Sequence, residues 1–131
     1  MADDARQGRV KVAMSIAAIG LAVPGIALTF APREIGELAG LQSAPIVLQL
    51  LGAALLGFAV MNWTARGSML GGIYGRAVVA ANQMHFTVGG LALARHVAYA
   101  DGPLALWALA IFYLLGAALF LQLMFFGGPG R

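Results

Sequence analysis

The stretch that decides the fold is residues 62–86, NWTARGSMLGGIYGRAVVAANQMHF, which sets polar and cationic side chains between two long apolar runs. Arg66 and Arg76 bracket a glycine-rich segment that is too short to form structure of its own, so it predicts a tight turn. Residues 44–65 and 74–97 flank this turn, and each run is long enough to cross a hydrocarbon core of about 30 Å. The stretch therefore predicts two membrane-spanning helices joined as an antiparallel hairpin.

The composition of the whole chain agrees with a membrane location. Of its 131 residues, 61% are hydrophobic and 10% are charged, with a mean hydropathy of +0.87. Soluble domains carry about 25% charged residues, so this chain falls outside that class. Four spans use nearly all of the sequence, which predicts a single four-span transmembrane domain over residues 1–131.

Two further apolar runs lie outside the central hairpin. The four predicted spans cover residues 10–31, 44–65, 74–97 and 103–126. Between spans one and two, Pro32 suits the first turn of a helix and Gly40 suits its end. The polar and apolar residues between them separate onto two faces, which predicts a short interfacial helix. The expected fold is an all-α, antiparallel four-transmembrane-helix bundle.

Local signals predict how the spans begin and how they pack. Ser43 is expected to cap the second span, and Asp101 is expected to cap the fourth. Gly52, Ala53 and Gly57 form a run of small residues, and the spacing of the last two allows two helix backbones to approach closely. We therefore expect tight packing along this part of span two.

Cations at the ends of the spans predict the orientation. One side of the bundle collects six of them: Arg6, Arg9, Lys11, Arg66, Arg76 and Arg131. The other side has Arg33 and Arg95. The positive-inside rule then places both termini in the cytoplasm, in a bacterial inner membrane. The cations form no run that could follow nucleic acid phosphates, so no nucleic acid partner is expected.

The candidate site lies in span three. His85 is near the middle of the span, and Asn82 is three residues earlier on the same helical face. Gln49 and Asn62 in span two supply facing polar groups. Either Asn82 and His85 hydrogen-bond to neighbouring helices as ordinary packing, or they form, with Gln49 and Asn62, a polar pocket that binds the head of a lipid-like or quinone-like ligand.

Other functional classes have weaker support in the sequence. Arg66 and Arg76 are read as topology signals, with binding of an anion or a lipid headgroup as the functional alternative. His85 and His96 are about 16 Å apart along one helix and cannot share a metal ion within one chain, so no metal or other cofactor is expected. Neither paired carboxylates within the spans nor a nucleophile–base set is evident, so we predict no catalytic residue.

The set Asn62, Arg66, Gly71-Gly72, Arg76, Asn82 and His85 resembles, in its layout, the small four-helix bacterial membrane proteins of the DoxX-like kind and neighbouring uncharacterised families. The resemblance implies the architecture and carries no activity with it. The expected function is that of an accessory or interaction subunit, or of a binder of a lipid-like ligand. A homo-oligomeric small-molecule transporter and a membrane enzyme that uses His85 on a lipid or quinone are the alternatives. Partners are expected to be the bilayer and either further copies of the chain or a larger membrane complex.

Overall fold

The computed structural model describes the backbone of residues 2–67, 73–100 and 102–126, with side chains there except at residues 2, 3, 6 and 126. Within these ranges the chain forms five helices and no strand. The helices are α1 (Ala2–Phe30), α2 (Pro32–Leu38), α3 (Pro45–Ala65), α4 (Ile73–Ala100) and α5 (Leu104–Phe126). The all-α fold class is confirmed.

Four of these helices, α1, α3, α4 and α5, are long and apolar enough to cross a membrane. They correspond to the four predicted spans, although α1 begins at Ala2, well before the apolar run, and α4 continues to Ala100. The four-helix membrane bundle is thus confirmed, and helix formation extends into the polar ends of the sequence. The backbone of these polar ends gains the same helical hydrogen bonds as the apolar runs do.

The short helix between spans one and two is also confirmed. Helix α2 has Pro32 in its first turn and Ala39 as its C-cap. Gly40 follows the cap, and its φ of +66° lies in the left-handed region that glycine adopts without strain. The amide of Gly40 donates to the carbonyl of Glu37, and the amide of Leu41 donates to the carbonyl of Gly36. These two bonds form a Schellman motif, which satisfies carbonyls that the end of a helix leaves without partners.

The bundle is built from two closely packed helix pairs. Helices α1 and α3 approach most closely within the first half of the chain, and α4 and α5 do so within the second half. At the α1–α3 crossing, a Cβ on Gly52 would lie 2.8 Å from the carbonyl oxygen of Gly25 and 2.6 Å from Oγ1 of Thr29. Only a residue without a side chain fits there. The two pairs meet mainly through side chains, because few of their backbone positions come close.

The predicted small-residue contact is found at Gly52 alone. Ala53 is exposed, and a Cβ on Gly57 would meet nothing within 4 Å, so the expected approach through these two residues is absent from the described bundle. Span two is apolar on nearly every face, so the spacing of small residues does not by itself indicate which face packs. The face of α3 that meets α1 carries Gly52, and Ala53 and Gly57 face outward.

The cap predicted for span two is wrong by one residue. The N-cap of α3 is Ala44, and it makes no capping hydrogen bond through its side chain. Pro45 excludes the preceding residue from the helical region, so the capping position falls on Ala44 instead of Ser43. The other predicted cap, Asp101, lies outside the described residues. So do the turn residues 68–72 with Gly71 and Gly72, residues 127–131 with Arg131, and the side chain of Arg6.

An aromatic cluster fills the contact between α4 and α5. Phe86 and Phe120 are fully buried and stack with their ring centroids 5.5 Å apart. Phe86 also meets Phe112 edge to face at 5.8 Å. Gly116 leaves room for this arrangement, since a Cβ there would lie 2.5 Å from the Phe86 ring. The cluster holds α4 in a fixed rotation, which positions Asn82 and His85 on their sides of the helix.

Candidate functional site

Asn62 of α3 and Asn82 of α4 form a reciprocal pair. Each side-chain amide donates from Nδ2 to Oδ1 of the other, and both distances are 2.8 Å. Nδ2 of Asn82 also donates to the carbonyl of Val78 on its own helix, at 2.9 Å. Both side chains are 0% exposed. The two residues therefore meet each other's hydrogen-bonding needs inside the bundle.

This pair has a particular place in the bundle. Its two hydrogen bonds join the α1–α3 half of the chain to the α4–α5 half. An unpaired amide inside a membrane protein is costly, so the two halves are favoured in the alignment that brings Asn62 opposite Asn82. The pair fixes the register between the halves.

His85 lies one turn further along α4 and has different surroundings. It is about 18 Å from the first residue of α4 and about 22 Å from the last, close to the middle of the helix. Its Nε2 is 3.0 Å from the phenolic oxygen of Tyr113 on α5. The ring stacks on Phe58 of α3 with centroids 4.3 Å apart and planes inclined by 21°. An imidazole is thus held between two helices by one hydrogen bond and one aromatic face.

We call His85, Tyr113 and Phe58 the His85 centre. The second ring nitrogen of His85 is the polar atom of this centre that has no hydrogen-bond partner among the described residues. Nδ1 makes no hydrogen bond to any described residue, and it is not among the side-chain atoms that the protein encloses without a partner. His85 itself is partly exposed on the outer flank of the bundle. This nitrogen either donates or accepts a hydrogen bond according to the tautomer, so it is the atom of the ring that remains available to a further polar group.

The remaining candidate residues lie elsewhere. Gln49 is exposed on α3, about 20 Å along the helix from Asn62, and it donates to the carbonyl of Thr29 at 3.3 Å. Arg66 lies over the ring of Trp63, 3.6 Å from its centroid, and also donates to the Trp63 carbonyl. Arg76 is exposed near the start of α4. The structure brings together Asn62 with Asn82, and it leaves Gln49 and both arginines separate from His85.

A second polar pair occupies the opposite flank of α4. Gln83 donates from Nε2 to Oγ1 of Thr87 at 2.8 Å, as the spacing of these two residues predicts. Oε1 of Gln83 is enclosed and has no hydrogen-bond partner among the described residues. The pair therefore satisfies the hydrogen-bonding groups of Gln83 only in part, and an enclosed carbonyl oxygen without a partner costs free energy.

Tyr113 contacts His85 from α5 and Phe58 contacts it from α3, and neither belongs to the candidate site predicted from the sequence. A signal for Tyr113 does exist in the sequence. Tyr74 and Tyr99 lie near the ends of α4, where tyrosine commonly contacts the membrane interface, whereas Tyr113 lies well inside α5. A hydroxyl that far from water needs a partner within the bundle, and His85 is that partner. Phe58 has no comparable signal, because phenylalanine is ordinary in an apolar span.

Comparison of this chain with protein-family models, with curated proteins and with solved structures finds no match in any of the three. The resemblance to DoxX-like proteins therefore stays a prediction.

Proposed function

We propose that this protein is a non-catalytic bacterial inner-membrane protein that binds an amphipathic, lipid-like molecule at His85. The observation that carries the proposal is the state of the imidazole: Nε2 is paired with Tyr113, and Nδ1 has no hydrogen-bond partner among the described residues although His85 is partly exposed. In hydrocarbon, a polar nitrogen without a hydrogen bond costs free energy. A hydroxyl, carbonyl or phenolic head that reaches this depth gains that hydrogen bond.

The surroundings of His85 favour a flat head with an apolar tail. Tyr113 holds the ring in position, and Phe58 lies parallel to it, so a planar head finds an aromatic surface next to the hydrogen-bonding nitrogen. The flank of α4 beside His85 exposes Met84 and Val88, along which a tail packs. A quinone-like or isoprenoid molecule has both features. Asn62, Asn82 and Gln49 do not take part in this binding.

Binding is favoured over catalysis by what surrounds the ring. An acid–base reaction needs a second titratable group near the reacting atoms. Among the described residues, the side chains that make ring contacts or a hydrogen bond with His85 are Phe58, Phe86 and Tyr113, and of these only Tyr113 titrates. Its hydroxyl already bonds to the imidazole, so it serves to position His85.

The proposed orientation has both termini in the cytoplasm. The support is the bias of cations towards one side of the bundle, with Arg9, Lys11, Arg66 and Arg76 near helix ends on that side and Arg33 and Arg95 on the other. His85 then lies at a depth that both leaflets reach with their acyl chains. Its ligand enters from within the bilayer.

The test compares the quinones and other lipids that co-purify with the full chain and with three variants after mild extraction. His85→Leu removes the hydrogen bond to the ligand, and Tyr113→Phe releases the ring from α5. His96→Leu is the matched control, because it removes a histidine from the same helix away from the centre. One hydrogen bond of about 1 kcal/mol predicts about fivefold less ligand in His85→Leu, a smaller loss in Tyr113→Phe and no loss in the control.

Thermal unfolding of each variant separates loss of ligand from loss of fold. If all four proteins are folded and carry the same lipids, the imidazole is a packing residue and the proposal is wrong. A photoreactive benzoquinone with a decyl tail provides an independent measurement, with crosslinks expected on α3 and α4 near Phe58 and His85. If a crosslinker at this flank instead joins two copies of the chain, oligomerisation replaces ligand binding as the role of His85.

A further inference from the structure

A crevice of about 710 Å³ opens between the first turns of α1 and the last turns of α5. It is separate from the His85 centre, which lies on α3, α4 and α5 near their middles. The side chains that matter to its chemistry are Arg9, Val12, Ile16, Leu119, Gln122 and Leu123. The opening exists because α1 and α5 approach little, and a Cβ on Gly8 in its wall would meet nothing within 4 Å.

The lining changes from polar to apolar with depth. On α1, Arg9 lies near the start of the apolar stretch Gln7–Phe30, whereas Ile16 is seven residues or about 10 Å deeper. On α5, Gln122 lies near the end of the stretch Leu104–Phe125, and Leu119 is nearly one turn deeper. Both helices therefore place a polar group at the rim and aliphatic groups below it. A phospholipid in the leaflet has the same order of groups.

The positive charge of Arg9 at the mouth of the crevice favours lipids with an anionic headgroup. The side chain of Arg9 is exposed, and it forms no hydrogen bond or ion pair with a described residue. A guanidinium binds a phosphate with two parallel hydrogen bonds, and the amide of Gln122 has donors for the ester oxygens beneath it. Lys11 on the same helix adds positive potential close by.

We propose that this crevice binds one anionic phospholipid, with its phosphate at Arg9, its ester groups at Gln122 and an acyl chain along Val12, Ile16 and Leu119. The combination of a cation at headgroup depth with an apolar floor excludes most other occupants. A partner helix in this place would bury the guanidinium of Arg9 next to apolar side chains unless it supplied an acid at that position.

The experiment is native mass spectrometry of the full chain with phosphatidylglycerol and with phosphatidylcholine, each added at the same concentration. Arg9→Gln removes the cation that lines the crevice. Lys11→Gln is the matched control, since it removes one positive charge two residues away without changing the lining. A headgroup contact worth about 1 kcal/mol predicts that Arg9→Gln lowers the preference for phosphatidylglycerol about fivefold, and that Lys11→Gln changes it less than about twofold.

Two further variants test the depth of the site. Ile16→Trp fills the apolar floor and is expected to weaken both lipids alike, whereas Gln122→Leu weakens both without changing the headgroup preference. If Arg9→Gln and Lys11→Gln behave identically, the attraction is general and the proposed site is wrong. If inorganic phosphate alone displaces phosphatidylglycerol, the rim binds a free anion and the assignment to a lipid is wrong.

Discussion

Replacing the asparagine pair gives the sharpest test of how the bundle is held together. The perturbations are Asn62→Leu, Asn82→Leu and the double variant, because leucine has nearly the shape of asparagine and no polar atom. Either single variant leaves one amide buried between apolar helices with neither of the two 2.8 Å bonds. The double variant leaves no orphaned amide and places two leucines at the contact.

The expected magnitudes follow from these contacts. Hydrogen bonds between membrane helices contribute about 0.6 kcal/mol on average and up to about 1.7, so two bonds contribute roughly 1 to 3 kcal/mol. A single variant loses both bonds and also keeps an unsatisfied buried amide, which adds about 1 to 3 kcal/mol. We expect each single variant to lower the free energy of unfolding by about 2 to 6 kcal/mol. The double variant should lower it by less than either single variant.

The assay is reversible unfolding in mixed micelles, with the four proteins forming a double-mutant cycle. We expect a coupling free energy of at least about 2 kcal/mol between the two positions. If the effects of the single variants simply add in the double variant, the amides do not depend on each other. That result would refute the assignment of Asn62 and Asn82 as a structural pair and would reopen the question of a ligand at Asn82.

The other expectations concern packing and orientation. Gly52→Ala should destabilise the bundle by about 1 to 3 kcal/mol in the same unfolding assay, because its Cβ would lie 2.8 Å from the Gly25 carbonyl oxygen, whereas Gly57→Ala should be neutral or slightly stabilising. An equal effect of the two changes would show that the α1–α3 crossing lies elsewhere. The chain has no cysteine, so single variants Gln7→Cys and Gln42→Cys report orientation directly. We expect a membrane-impermeant thiol reagent, added outside the cell, to label Gln42→Cys alone, and labelling of Gln7→Cys would reverse the assignment of sides.

The sequence predicts the fold well because its strongest signals are the lengths of the apolar runs and the proline and glycine residues that end helices. An apolar run of about twenty residues has few structural alternatives in a membrane, and Pro32, Gly40 and Pro45 each mark a helix end through their own backbone restrictions. The side chain of Ser43 predicts a cap one position too early, because Pro45 keeps Ala44 out of the helical region and so makes Ala44 the N-cap.

The site is harder to predict, because it depends on how the helices are rotated and aligned. Asn62 is three residues from the end of α3, whereas Asn82 is nine residues from the start of α4, so counting from the turn does not place them opposite each other. The same limitation hid the link between His85 and Tyr113, which are 28 residues apart. Apolar spans contain little periodicity to indicate their inner faces, and the polar partners become evident only once the aromatic cluster has fixed the rotation.

The division of the bundle into an α1–α3 pair and an α4–α5 pair has a consequence for biosynthesis. Each pair consists of neighbours along the chain, so the close crossing at Gly25 and Gly52 is available as soon as the first 67 residues have left the ribosome and entered the bilayer. The second pair then arrives as a preformed hairpin, and the late step of assembly is a lateral meeting of two units that are already complete in backbone hydrogen bonds. A gene split between codons 67 and 73 would encode these two units separately, and Asn62 and Asn82 would be the polar groups through which they find each other in the membrane.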